Sequence, residues 1–137
     1  MRSNEFICTI RVYYEDTDAA GVVYHSNYLR FMERTRTEWL RAYGFSQEAL
    51  HHEQGIIFAI RKLNIKFLLP ARLDDLLDVS AKLTGTGGAS LQFIQTINNQ
   101  RQQLICTAEV NCVCLDAKSL KPHRLPIQLK AELNNDL

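Results

Sequence analysis

Proline and glycine are scarce in this chain, 3 and 6 of 137 residues. No repeat, low-complexity tract or linker-like stretch interrupts it, so a single domain over residues 1–137 is expected. Long apolar runs are missing as well. None approaches the ~20 residues that a membrane-spanning helix needs, and none of signal-peptide length follows Met1-Arg2-Ser3-Asn4-Glu5. A cytoplasmic protein without a transmembrane segment is the expectation. Neither sign of charge is in excess: 16 basic against 15 acidic side chains give a formal +1. That balance excludes a generally basic nucleic-acid binder and an acidic disordered tail. Cysteine is limited to Cys8, Cys106, Cys112 and Cys114. The last two stand two apart in the apolar run Val110–Leu115, a strand pattern that turns both to one side. No further His or Cys lies nearby at zinc-ligand spacing, so they read as buried free thiols and no metal is expected. What remains is an ordinary globular composition, 46% hydrophobic and 23% charged, sufficient for a core without staples.

Periodicity places the elements. Phe6, Cys8, Ile10, Val12 and Tyr14 fall on one face of a strand predicted over Glu5–Tyr14, and the acidic loop Glu15–Gly21 follows. A helix starting between Val22 and Asn27 runs to Tyr43, with Gly44 as its stop. Counted from Ser26 it has about 18 residues, or roughly 27 Å. Its apolar set (Tyr28, Leu29, Phe31, Met32, Thr35, Trp39, Leu40, Tyr43) makes a stripe wide enough to face a sheet. Glu33 and Glu38 are placed to pair at the surface with Arg34, Arg36 or Arg41. Ser46 caps a shorter helix that ends near Glu53, before Gly55, and its adjacent His51 and His52 diverge towards solvent.

Four strands come next. The first carries Leu63, Ile65, Phe67 and Leu69 on one face and is closed by Pro70; the others are Leu77–Thr84, Ser90–Ile97 and Leu104–Leu115. A short amphipathic tail, Ile127–Leu133, ends the chain. One long helix against a mostly antiparallel sheet of five or six strands is an α+β design. One sheet face meets the helix and the other meets solvent or a partner. Pairing of an edge strand with a second copy would remove that edge.

Chemistry concentrates in Tyr14-Glu15-Asp16-Thr17-Asp18-Ala19-Ala20-Gly21-Val22-Val23-Tyr24-His25-Ser26-Asn27-Tyr28. A carboxylate stands just ahead of a helix start, with glycine between them and histidine at the start itself. Helix N-termini present unpaired N–H groups and a partial positive charge of about half a unit. They bind anions, including the oxyanion that develops when a carbonyl is attacked. Gly21 lets backbone approach a ligand closely, and a neighbouring carboxylate can activate water or attack as a nucleophile. The bland alternative is an acidic loop in which Asp16 or Asp18 merely favours the helix dipole.

The run Asp18–Tyr28, with Phe31-Met32-Glu33-Arg34 and Arg36-Thr37-Glu38 after it, resembles the hotdog-fold thioesterases of the 4-hydroxybenzoyl-CoA thioesterase type, nearest to their bacterial branch associated with the Tol–Pal cell-envelope system. Arg61-Lys62, Pro70-Ala71-Arg72-Leu73-Asp74-Asp75, Gly88–Leu91 and Lys121-Pro122 extend the likeness over nearly the whole chain. The resemblance implies a hotdog fold, with a long central helix wrapped by an antiparallel sheet. It also implies homodimers or homotetramers with active sites at subunit interfaces, and acyl-CoA as substrate.

It places the catalytic aspartate on Asp18, as general base for water or as nucleophile through a mixed anhydride. The thioester carbonyl is placed near the backbone N–H of His25, whose side chain hydrogen-bonds the carbonyl or orients the site. Tyr14 matches a tyrosine that shapes the pocket, and is otherwise a core aromatic. Coenzyme A brings phosphates that need cations; Arg61, Lys62 and Arg72 are the candidates, while an exposed strand face carries such residues in any case. No cofactor is implied. Two competing roles follow from the same frame: a non-catalytic module that binds acyl-CoA or acyl carrier protein at the envelope machinery, and a dehydratase of hydroxyacyl thioesters, whose helix-borne histidine–carboxylate pattern is not evident.

Overall fold

The computed structural model of the chain describes residues 5–136; the leading Met1–Asn4 and the closing Leu137 lie outside it. The elements run β1 (Glu5–Arg11), α1 (His25–Ala42), α2 (Gln47–Gln54), β2 (Ile56–Phe67), β3 (Leu76–Thr86), β4 (Ser90–Asn98), β5 (Leu104–Asp116) and α3 (Ile127–Asp136), with a 3-10 turn at Tyr14–Asp16. The five strands form one antiparallel sheet in the order β1-β3-β4-β5-β2. The α+β expectation holds, with five strands rather than six.

Alternation drives the sheet's two faces apart. Leu77, Val79, Ala81 and Leu83 of β3, with Leu91, Phe93 and Ile97 of β4, are buried under α1. The helix answers with Tyr28, Phe31, Met32, Thr35, Trp39 and Leu40, the stripe its periodicity defines. Trp39 meets Phe93 edge to face, ring centroids 4.9 Å apart. Near the middle of the stripe the fully buried Gln95 donates to the backbone carbonyls of Met32 and Ser80 and accepts from the Arg36 guanidinium at 2.9 Å. Arg36 is therefore turned inward. Among the described residues Glu38 and Arg41 alone form the expected surface ion pair, at 3.2 Å, while Glu33 accepts from Thr37.

Element ends follow local chemistry where that chemistry is complete. Ser46 Oγ accepts from Ala49 N–H to cap α2, and Gly55, at φ 65°, takes the left-handed conformation that stops it. Two expected ends move. β1 stops at Arg11 rather than Tyr14, because Val12 exchanges backbone hydrogen bonds with Asp74 and Asp75, and Asp16 then draws the chain into the 3-10 turn. β2 stops at Phe67, short of Leu69 and Pro70. A bulge in β5 at Ile105 shifts the register there, and the Ile105 carbonyl accepts from both Leu68 and Leu69 N–H. A second bulge, at Arg61 of β2, faces Asn111 of β5 together with Lys62.

Phe31→Ala removes a fully buried ring and is expected to cost about 3–5 kcal/mol of unfolding free energy. Ser46→Ala, which loses only the cap, is expected to cost about 1 kcal/mol. Urea denaturation followed by circular dichroism checks the ranking. Equal losses would show that α1 is not the centre of the core.

Candidate active site

The segment between β1 and α1 folds back on itself. Asp18 N–H donates to Val22 O at 2.9 Å, Tyr24 N–H donates to Asp16 O at 3.0 Å, and Thr17 bridges Val23 between them. The closing turn has Gly21 N–H donating to Asp18 O at 3.0 Å, with Gly21 at φ 78°. A Cβ there would meet no atom within 4 Å, so the turn asks for glycine through its dihedral angle. Residues 16–18 thus lie antiparallel to residues 22–24, and the second arm runs directly into α1.

This ladder sets Asp16 against Tyr24, the residue before α1, and Asp18 against Val22, three residues before the helix starts. Ala20 N–H donates to Asp18 Oδ1 at 2.9 Å, an Asx turn that orients the carboxylate, and its other oxygen has no partner among the described residues. The backbone N–H groups of His25 and Ser26 likewise donate to no acceptor among the described residues. A second set of bonds ties the turn to the loop after β2. Val23 N–H donates to Ala71 O, Leu73 N–H to Gly21 O, and Ala71 N–H to the Tyr28 hydroxyl at 2.9 Å. Burial pushes the Tyr28 phenol pKa up, the Ala71 bond opposes it, and the charges of Asp75 and Asp18 add to the rise.

Apolar surface is exposed where the end of β2 meets the head of α1. The His25 ring stacks on Tyr24, centroids 4.6 Å apart, and meets the edge of Phe67 at 6.1 Å. Phe67, Leu68, Leu69 and Leu73 are all substantially exposed. Cavities of about 1180, 480 and 30 Å³ lie among the described residues, and Asp18 lines none of these.

The sequence candidates divide. Asp18, His25 and Arg72 come to one end of the sheet, Arg72 through its backbone bridge to Val22. Tyr14 is not a core aromatic: it lies on the 3-10 turn and is 82% exposed. Arg61 and Lys62 line the 480 Å³ depression on the outer face, with Asn64, Gln92, Glu109 and Asn111. They are six and five residues of strand from Phe67, roughly 20 Å at ~3.3 Å per residue. Sequence reasoning missed Tyr28 and Asn27 as parts of this end, and the exposed Phe67–Leu69 ledge. Their contacts span loops far apart in sequence and leave no local pattern.

A family model described as the thioesterase-like superfamily matches residues 12–133. The chain belongs to that superfamily. It is 47% identical over 132 residues to the acyl-CoA thioester hydrolase YbgC of Escherichia coli O6:H1, covering 96% of this chain and 98% of that protein. It is 41% identical over 135 residues to the acyl-CoA thioesterase YbgC of Haemophilus influenzae, covering 98% of each. A solved probable thioesterase from Bartonella henselae shares 36% identity at a TM-score of 0.84, covering 89% of this chain and 99% of that one. A Staphylococcus aureus protein solved in complex with CoA is alike in fold alone: TM-score 0.89, 15% identity, covering 99% of this chain and 85% of that one. The hotdog fold expected of a thioesterase is the fold found.

All four cysteines are free, three of them buried. Burial pushes the Cys106 thiol from 9.0 up to about 12 and that of Cys114 up to about 11. Among the described residues no three His, Cys, Asp or Glu converge to hold a metal ion, and no helix is long and apolar enough to cross a membrane. A thiol raised in the folded state stabilises it fully below the unfolded value of 9.0, and that contribution is lost as pH rises towards about 12. Cys106→Ala is therefore expected to flatten the fall of unfolding free energy over that range. Parallel slopes for the variant and the parent in denaturant titrations would contradict the shift.

Proposed function

We propose that the protein hydrolyses acyl-CoA thioesters to a free carboxylic acid and coenzyme A. The observation that supports this reading is the ladder of residues 16–18 against 22–24, which folds the loop carrying the half-free Asp18 carboxylate onto the segment that leads into an 18-residue helix with unsatisfied first-turn N–H groups. Hydrolysis of a thioester needs those two things together. A group must deliver oxygen to the carbonyl carbon, and donors must receive the charge that then develops on the carbonyl oxygen. Asp18 supplies the first, as general base for water or as nucleophile. The His25 N–H at the start of α1 supplies the second, where one such donor contributes about 10²–10³ in rate. Ring contacts with Tyr24 and Phe67 support a role for the His25 side chain in hydrogen-bonding or orienting the same carbonyl.

The acyl group is assigned to the exposed ledge of Phe67, Leu68 and Leu69, with Leu73 across from it. A ledge is not a pocket, and β2 is an unpaired edge. Both features support a homodimer or homotetramer in which a second copy covers the ledge and the active site lies at the subunit interface. Arg72, bridged to Val22 through its backbone, is then a candidate cation for the phosphates of coenzyme A. Arg61 and Lys62, a long way along β2, would serve a substrate held at another copy's helix start.

Steady-state assays over a panel of acyl-CoA chain lengths, following free thiol and enoyl product together, test the reading. Asp18→Asn is expected to lose about 10²–10⁴ in kcat. His25→Ala keeps the backbone N–H and is expected to lose less. Comparable turnover by Asp18→Asn would defeat the assignment, a larger loss for His25→Ala would show the chief group misplaced, and enoyl product would indicate a dehydratase. Tight acyl-CoA binding without turnover would favour a carrier module instead.

A further inference from the structure

Two residues ahead of Asp18 stands a second aspartate with a different environment. Asp16 is only 6% exposed. Its Oδ1 accepts from Asn27 Nδ2 at 2.8 Å, its Oδ2 from Tyr13 N–H at 2.9 Å, and its backbone carbonyl from Tyr24 N–H at 3.0 Å. Tyr24 is the residue before α1 and Asn27 the third residue within it. One residue therefore grips the head of the helix through its main chain and its side chain at once. Its remaining oxygen pins the point where β1 gives way to the 3-10 turn.

A simple cap does not account for this. Capping would need only Ser, Thr, Asn or Asp at position 24, where Tyr24 provides no side-chain cap. Burying a carboxylate is costly unless both its oxygens are satisfied, and here both are. What the buried group adds over a cap is register: it holds the helix head to the loop arm that bears Asp18.

We propose that Asp16 is a positioning residue for thioester hydrolysis, fixing the first-turn N–H groups of α1 relative to the Asp18 carboxylate through Asn27 and Tyr24. This rests on the reading of Asp18 and α1 given above. The carboxylate must reach the carbonyl carbon while the N–H groups reach its oxygen. A relative shift of about 1 Å between the two costs on the order of 10²-fold in rate. Because coenzyme A and the acyl chain are held elsewhere, such a shift falls on kcat and leaves KM nearly unchanged.

Asn27→Asp is the decisive variant. At about pH 8 it sets a second carboxylate against Asp16, and the two repel. An acid in the first turn suits the helix dipole, so α1 itself is not weakened. The expected result is a roughly 10- to 100-fold loss in kcat with KM within about threefold of the parent. The double variant Asp16→Asn/Asn27→Asp re-forms an amide–carboxylate pair in the opposite sense and still offers Tyr13 N–H an acceptor. Its kcat is expected to return to within about threefold of the parent. Asp16→Ala should match the loss in Asn27→Asp, which carries the test alone if Asp16→Ala does not fold.

Asp18→Asn is assayed alongside. If it and the parent hydrolyse alike, the functional reading fails and the role of Asp16 falls with it. If Asp18→Asn is inactive while folded Asn27→Asp keeps the parental kcat, even with a lowered melting temperature, Asp16 is structural only and the positioning role alone is overturned. Failure of the double variant to regain what Asn27→Asp loses overturns it as well.

Discussion

Three backbone contacts within nine residues carry the account: Asp18 N–H to Val22 O, Thr17 beside Val23, and Tyr24 N–H to Asp16 O. An acidic loop and a helix start are each common and each inert by themselves. Folding the loop against the residues that lead into the helix ties the Asp18 backbone to the segment that opens α1, as the proposed hydrolysis would require. That is the preorganisation a charge-developing reaction rewards, because no reorganisation is left to be done when the charge appears. The rest of the fold serves to keep this turn rigid. The long helix is buried along its stripe against β3 and β4, and the loop after β2 is stapled to the turn through Ala71, Arg72 and Leu73.

The same architecture explains why the site stands open in one chain. The helix head and the end of β2 meet at the sheet's edge, so Phe67, Leu68 and Leu69 leave about half of their surface exposed. An exposed apolar ledge beside an unpaired strand edge is the kind of surface that a second copy would cover. The outer face of the sheet is different in kind. Its depression is lined by Arg61, Lys62, Asn64, Gln92, Glu109 and Asn111, with Arg61 and Asn111 already bound to one another.

Much of the fold was legible because it obeys short-range rules. The period of α1, the Ser46 cap, the stops at Gly44 and Gly55 and the alternation of β3, β4 and β5 all lie within a few residues of the features that signal them. Where the sequence misled, the deciding contact lay far away. β1 ends early because Val12 pairs with a loop more than sixty residues on, which also puts Tyr14 in solvent. β2 ends early because of a bulge at Ile105 in a different strand. Arg36 looks like a surface partner for a glutamate until Gln95, on β4, draws it inward. For the site, spacing alone left Asp18 indistinguishable from a helix-start acid, and only family resemblance singled it out. The part played by Asp16 was hidden because its bond to Asn27 follows no helical or strand period.

The most direct measurement is a crystal structure of the protein with an acyl-CoA analogue in which methylene replaces the thioester sulfur. The account predicts the ketone oxygen about 3 Å from a first-turn N–H of α1. It places the Asp18 carboxylate about 3–3.5 Å from the carbonyl carbon, or one water away from it. A ketone oxygen turned away from that helix, or Asp18 facing no reacting atom, would contradict it.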